Sequence, residues 1–125
     1  MDLKFLVVDD SVTMRRIVVN SLKTLGYAET VEAGDGKEAL SKVEADSSIN
    51  FIITDWNMPV CSGLELTKAL RENSISANIP ILMVTTRGVK DDIIEALQAK
   101  VSNYVVKPFT PAVLKEKIDQ ILAHV

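Results

Sequence analysis

Five short runs of apolar residues recur along the chain: Phe5 to Val8, Thr30 to Ala33, Phe51 to Thr54, Ile81 to Thr85 and Asn103 to Val106. Three are nearly continuous in Val, Ile, Leu or Phe, the pattern of a strand covered on both faces. The stretches between them carry apolar residues at helical spacing instead. Met14, Ile17, Val18, Leu22 and Leu25 predict a helix from about Thr13 to Leu25, with Gly26 as its stop. A second helix follows Gly34-Asp35-Gly36 over about Lys37 to Ala45, a third runs behind Gly63 from Leu64 to Glu72, and a fourth covers about Lys90 to Ala99. The fifth starts at Pro111, a residue suited to a first helical turn, and carries Leu114, Ile118, Ile121 and Leu122. Strand then helix, five times over, predicts parallel strands joined by right-handed crossovers with helices on both faces, a doubly wound α/β sandwich. Such sheets form their sites at the carboxyl ends of the strands, so the residues just after each run are the ones to search for chemistry.

A chain of 125 residues with 47% hydrophobic and 25% charged content suits one domain, residues 1–125, that buries its own core. One cysteine, Cys61, excludes a disulfide framework and a thiolate zinc cluster, and one histidine, at the penultimate position 124, argues against a His-based triad and a His-rich metal site. The formal net charge is −3 and no basic run exceeds Arg15-Arg16, so binding to nucleic acid or to an anionic membrane is not expected. There is no positive leader-like segment before Phe5 and no stretch approaching 18 apolar residues, which predicts a cytoplasmic protein.

The strand ends carry Asp9 and Asp10 after the first run, Asp55 after the third, Thr85 and Thr86 at the fourth, and Lys107-Pro108 after the fifth. Taken singly, an Asp or Thr there reads as a cap or turn residue, and Lys107 as a solvated charge. Together on one edge they read differently. Three carboxylates repel unless a cation sits among them, and hard oxygen ligands select Mg²⁺, which leaves room for a phosphate. Lys107 and Thr85 would supply a point charge and a hydroxyl donor to phosphoryl oxygens.

Phe5-Leu6-Val7-Val8-Asp9-Asp10-Ser11, Ile53-Thr54-Asp55-Trp56-Asn57-Met58-Pro59, Met83-Val84-Thr85-Thr86 and Tyr104-Val105-Val106-Lys107-Pro108-Phe109 resemble the four signature blocks of the receiver domains of two-component response regulators. The spacing agrees, with 45, 30 and 22 residues separating Asp10, Asp55, Thr85 and Lys107 in turn. Within that family the chain is most similar to the single-domain chemotaxis regulators, which have no output domain. The resemblance implies a flavodoxin-like fold with a five-stranded parallel sheet of order 2-1-3-4-5.

It also implies roles. Asp55 would accept a phosphoryl group from a phosphohistidine on a partner kinase. Asp10, Asp55 and the backbone carbonyl of Asn57 would hold Mg²⁺, with Asp9 acting through a metal-bound water. Lys107 would pair with the acceptor carboxylate and then with the phosphoryl group, Thr85 would move to hydrogen-bond that group, and Tyr104 would change rotamer in response. The Lys107-Pro108 bond would be cis. Lys90, Ile93, Val106 and Lys117 would form the partner surface beside Tyr104, and Arg87 at the site mouth would modulate the lifetime of the phosphate. The implied partners are a histidine kinase of the chemotaxis type, the flagellar motor switch protein and a phosphatase, with the chain acting as a monomer and catalysing only its own phosphorylation and dephosphorylation.

Two other classes stand beside this one, as does a receiver that drains phosphate without acting on the motor. A small Mg²⁺-dependent aspartyl-phosphate hydrolase of the haloacid dehalogenase type places its nucleophile in Asp-x-Asp, whereas Asp9-Asp10 is contiguous and Asp91-Asp92 opens a helix. A flavin carrier of the same fold wants a hydroxyl-rich phosphate loop after the first strand, where Asp9 and Asp10 would repel phosphate. Trp56 reads as a partly exposed packing group, Cys61 as an ordinary thiol, and Arg15 and Arg16 as a solvated helix face. Lys100 stands where the family commonly has Gly, and a left-handed conformation there costs about 1 kcal/mol.

Overall fold

The structure, a computed structural model, describes residues 2–56, 58, 60–85, 94 and 96–124. Five parallel strands, β1 (Lys4–Val8), β2 (Glu29–Ala33), β3 (Phe51–Asp55), β4 (Ile81–Thr85) and β5 (Asn103–Val106), form one sheet of order β2-β1-β3-β4-β5. The expected fold class and strand order are both present. Side chains alternate across the sheet, and both sides are covered. Leu6, Val8, Ile52 and Met83 pack into one core with Ala39, Val43, Leu66 and Leu70. Phe5, Val7, Phe51, Ile53, Leu82 and Val84 pack into the other with Val18, Leu22, Leu114 and Ile118. This two-sided burial is the reason β1, β3 and β4 read as unbroken apolar runs.

The helices that supply those residues are α1 (Val12–Thr24), α2 (Gly36–Ala45), α3 (Gly63–Glu72) and the C-terminal helix Pro111–Leu122. The first three each begin one residue earlier than their periodicity suggested, because capping decides the start. Ser11, Asp35, Ser62 and Thr110 each accept a hydrogen bond from the backbone N–H three residues on, and Ser62 completes a reciprocal box with Glu65. Of the expected fourth helix, residues 94 and 96–98 are helical, with Ala96 buried in the first core. No described helix is long and apolar enough to cross a membrane.

Lys100 does take the left-handed conformation, with φ of 72°. Its carbonyl accepts a 2.9 Å hydrogen bond from Arg71 Nε, and Arg71 Nη1 also donates to the Ala77 and Ile79 carbonyls at 3.1 and 2.6 Å. One guanidinium thus ties the end of α3 to the segments that lead into β4 and β5.

Candidate functional site: the carboxyl edge of the sheet

The parallel ladder continues one residue past the strands and lines up their ends. The Asp9 N–H donates to the Ala33 carbonyl at 3.1 Å, Trp56 N–H to Val84 at 3.2 Å, and Lys107 N–H to Thr85 at 2.8 Å. Asp9, Asp55 and Lys107 are therefore fixed by backbone at one edge, whatever their side chains do. Asp9, Asp10 and Asp55 each offer a carboxylate oxygen within 4.8 Å of the others. The Lys107 ammonium bridges two of them, at 3.0 Å from Asp55 Oδ1 and 3.3 Å from Asp9 Oδ2. Lys107 is only 13% exposed at its side chain, so the solvated-charge reading fails. The Lys107-Pro108 bond is cis.

The acids differ in surroundings. Asp9 is buried, and its Oδ1 accepts the Ser11 N–H at 2.9 Å, so it is a turn residue and a member of the cluster at once. Asp10 is exposed and makes no side-chain hydrogen bond or ion pair among the described residues. Asp55 sits between these extremes. Burial pushes its carboxyl above the ordinary value of 3.8; the Lys107 ammonium opposes the rise, Asp9 adds to it and the Trp56 N–H opposes it. Three carboxylates facing one ammonium leave an excess of negative charge, and an all-oxygen donor set of this kind fits a hard divalent cation.

Close backbone packing holds Asp55 from below. A Cβ on Gly63 would stand 2.2 Å from the Asp55 carbonyl oxygen, so α3 can start against the end of β3 only because residue 63 is glycine. The Gly63 N–H also donates to the Trp56 carbonyl at 2.9 Å. Trp56 is 7% exposed and belongs to the first core cluster, which corrects the expectation of a partly exposed ring. Cys61 is half-buried beneath Gly36, and burial, with help from Glu65 and Asp35, pushes its thiol up, away from reactivity.

Thr85 ends β4 at 2% exposure. Its register partner is Val106, and Tyr104 pairs with Met83, so Thr85, Tyr104 and Val106 share one face of the sheet. Tyr104 is half-buried, the Lys117 ammonium lies 5.3 Å from its ring centroid, and Val106 is 39% exposed. Asn57, Arg87, Lys90 and Ile93 lie outside the described residues, as do Asp91 and Asp92.

Sequence reasoning missed Arg15, which was assigned to solvent. Its Nη1 donates to the Asp9 carbonyl at 2.6 Å and its Nε pairs with Glu32 Oε1 at 3.2 Å. A signal for this existed: side chains on a helix lean toward its N-terminus, so an Arg one turn into α1 reaches back to the strand edge. Arg16 is exposed, as expected.

Residues 5–119 match the response regulator receiver domain family. The chain belongs to that family. It is 53% identical to the chemotaxis protein CheY1 of Helicobacter pylori over 120 residues, covering 96% of this chain and 97% of that one. The chemotaxis protein CheY homolog of Campylobacter jejuni is 51% identical, with 96% of this chain and 92% of that one covered. Among solved structures, the chemotaxis response regulator CheY4 of Vibrio cholerae superposes with a TM-score of 0.88 at 37% identity, covering 97% and 99% of the two chains. A response regulator receiver protein from Pseudomonas putida gives 0.85 at 26% identity, covering 96% and 98%. This receiver is accordingly a signalling protein with an acidic cluster able to hold a metal ion.

Proposed function

We propose that this receiver is a phosphorylation-activated chemotaxis response regulator that takes a phosphoryl group onto Asp55. The observation that carries the reading is Lys107 bridging Asp55 and Asp9 inside the acidic cluster, because it supplies acceptor, cation and metal ligands at a single point. The Asp55 carboxylate oxygen forms the new P–O bond as the P–N bond of the donor phosphohistidine breaks. Lys107 holds Asp55 Oδ1 in place, and its charge then stabilises the phosphoryl oxygens. The Thr85 hydroxyl donates to the same group. Asp10, Asp55 and the Asn57 carbonyl would hold Mg²⁺, and Asp9 would act through water; when bound, the ion neutralises charge on the phosphoryl oxygens. Hydrolysis of the acyl phosphate by water ends the signal, and Arg87 sets its lifetime.

Chemotaxis names among the relatives support a histidine kinase of the chemotaxis type as donor and the flagellar motor switch as target, in the cytoplasm. Tyr104, Val106 and Lys117 would contribute to the surface that the target reads, with Lys90 and Ile93. The test is incubation with acetyl phosphate and Mg²⁺ followed by mass spectrometry. One phosphoryl adduct that disappears in Asp55→Asn is expected; an adduct on Ser11 or Thr13 overturns the assignment.

A further inference from the structure

Asp10 is the one acid of the cluster whose side chain has no partner among the described residues, so its aim is set by backbone alone. The peptide plane joining Asp9 to Asp10 is held at its Asp9 end. The Asp9 N–H, one peptide earlier, is bonded to Ala33, and the Asp9 carboxylate is fixed by the Ser11 N–H and Lys107. The Asp9 carbonyl, which belongs to the plane itself, accepts from Arg15 Nη1 at 2.6 Å. Arg15 is itself fixed. Its side chain is 17% exposed, Nε is paired with Glu32 on β2, and Nη1 lies 3.5 Å from where a Cβ of Gly34 would be. A planar guanidinium wedged between β1, β2 and the turn after β2 is a rigid strut, since its donors point in fixed directions.

We propose that Arg15 is a positioning residue for the metal-binding acids: it locks the Asp9–Asp10 peptide plane so that Asp10 faces Asp55. This rests on the reading of the acidic cluster as a Mg²⁺ site. The proposal makes a prediction of sign. If Arg15 acted only as a nearby positive charge, it would repel a divalent cation, and removing it would tighten Mg²⁺ binding. If it positions the acids, removing it weakens binding, in the way that loss of groups supporting a metal's ligands does, by about tenfold.

The experiment is calorimetric titration of the phosphate-free protein with Mg²⁺. Wild type and Asp10→Asn come first: if wild type binds no Mg²⁺, or Asp10→Asn binds it equally well, the metal-site reading itself fails. With that reading intact, Arg15→Ala is expected to bind about tenfold more weakly. Arg15→Met, which keeps an aliphatic stem of similar length without the guanidinium, should behave likewise and serves if the alanine variant does not fold. Arg15→Lys keeps a charged donor for the Asp9 carbonyl but loses the fixed fork, so it is expected to recover only part of the loss, to within about threefold of wild type, on the same scale. Melting is followed without Mg²⁺, because a merely structural role would lower it while leaving the affinity of the folded protein unchanged. Unchanged or tighter binding in Arg15→Met, or a lysine variant as weak as the methionine one, overturns the proposal.

Discussion

Replacing Gly63 by alanine should damage stability and phosphoryl acceptance together, for one steric reason. The added Cβ would lie 2.2 Å from the Asp55 carbonyl oxygen, 3.1 Å from its carbonyl carbon and 3.0 Å from Met83 Sδ. A carbon–oxygen contact relaxes only beyond about 3.3 Å, so α3 and the end of β3 must separate by roughly 1 Å. Both sides of the clash are backbone, and no rotamer change can absorb it. Overpacking of this kind costs about 1–3 kcal/mol, and since the Met83 side chain can shift but the Asp55 backbone cannot turn away, Gly63→Ala falls toward the upper end. The displaced atoms belong to the proposed acceptor residue itself, whose carboxylate now stands 3.0 Å from Lys107. A misplacement near 1 Å at a reacting group lowers the rate by about 100-fold. Urea denaturation measures the first effect, and the rate of phosphorylation by acetyl phosphate the second. Gly26→Ala is the control: at φ of 94° with nothing within 4 Å, it bears backbone strain of about 1 kcal/mol and should leave the rate unchanged. If Gly63→Ala matches wild type in both assays, the close approach does not position Asp55.

Lys100→Gly should stabilise the fold by about 1 kcal/mol, read from the denaturation midpoint, since the Arg71 bond goes to the carbonyl and survives while the left-handed strain is relieved. Asp55→Asn should also stabilise at neutral pH. The Asp55 carboxyl is raised in the fold above 3.8, so the folded state holds its proton more tightly than the unfolded chain does. Its contribution to stability is therefore favourable at low pH and falls as pH rises from 3.8 through the raised value. Stability measured across that window should decline less steeply in Asp55→Asn than in wild type, and parallel curves would refute the burial argument.

The sheet was legible because its physics is local to each run. Phe5-Leu6-Val7-Val8 and Phe51-Ile52-Ile53 are continuous where both faces are covered, and the parallel arrangement then forces Asp9, Asp55 and Lys107 onto one edge. Their chemistry could be read from their types; their pairing could not. That one lysine spans Asp9 and Asp55 depends on distances set across the sheet. Gly63 looked like a helix signal, and only the packing of α3 on β3 revealed why no side chain fits. Arg15 and Trp56 failed for a shared reason. Each is a large residue beside a strand end, where composition suggests solvent, yet the turn around Gly34 and the start of α3 close over them.

The same topology limits how far a signal must travel on the proposed reading. Thr85 and Val106 are register partners on adjacent strands, so the acceptor's neighbour and a surface residue are one strand spacing apart, about 4.8 Å. Tyr104, two residues before Val106 on the same face, carries the Lys117 ammonium over its ring. A tenfold preference of a partner for the phosphorylated form requires about 1.4 kcal/mol of differential free energy. A hydrogen bond to a charged group contributes about 1.5–3 kcal/mol, so a bond from the Thr85 hydroxyl to the phosphoryl group, formed in place of contacts Thr85 already makes, is of the order such a switch requires. No long relay is needed. The energy enters at the end of β4, and the adjoining strand already presents Tyr104 and Val106 beside the C-terminal helix.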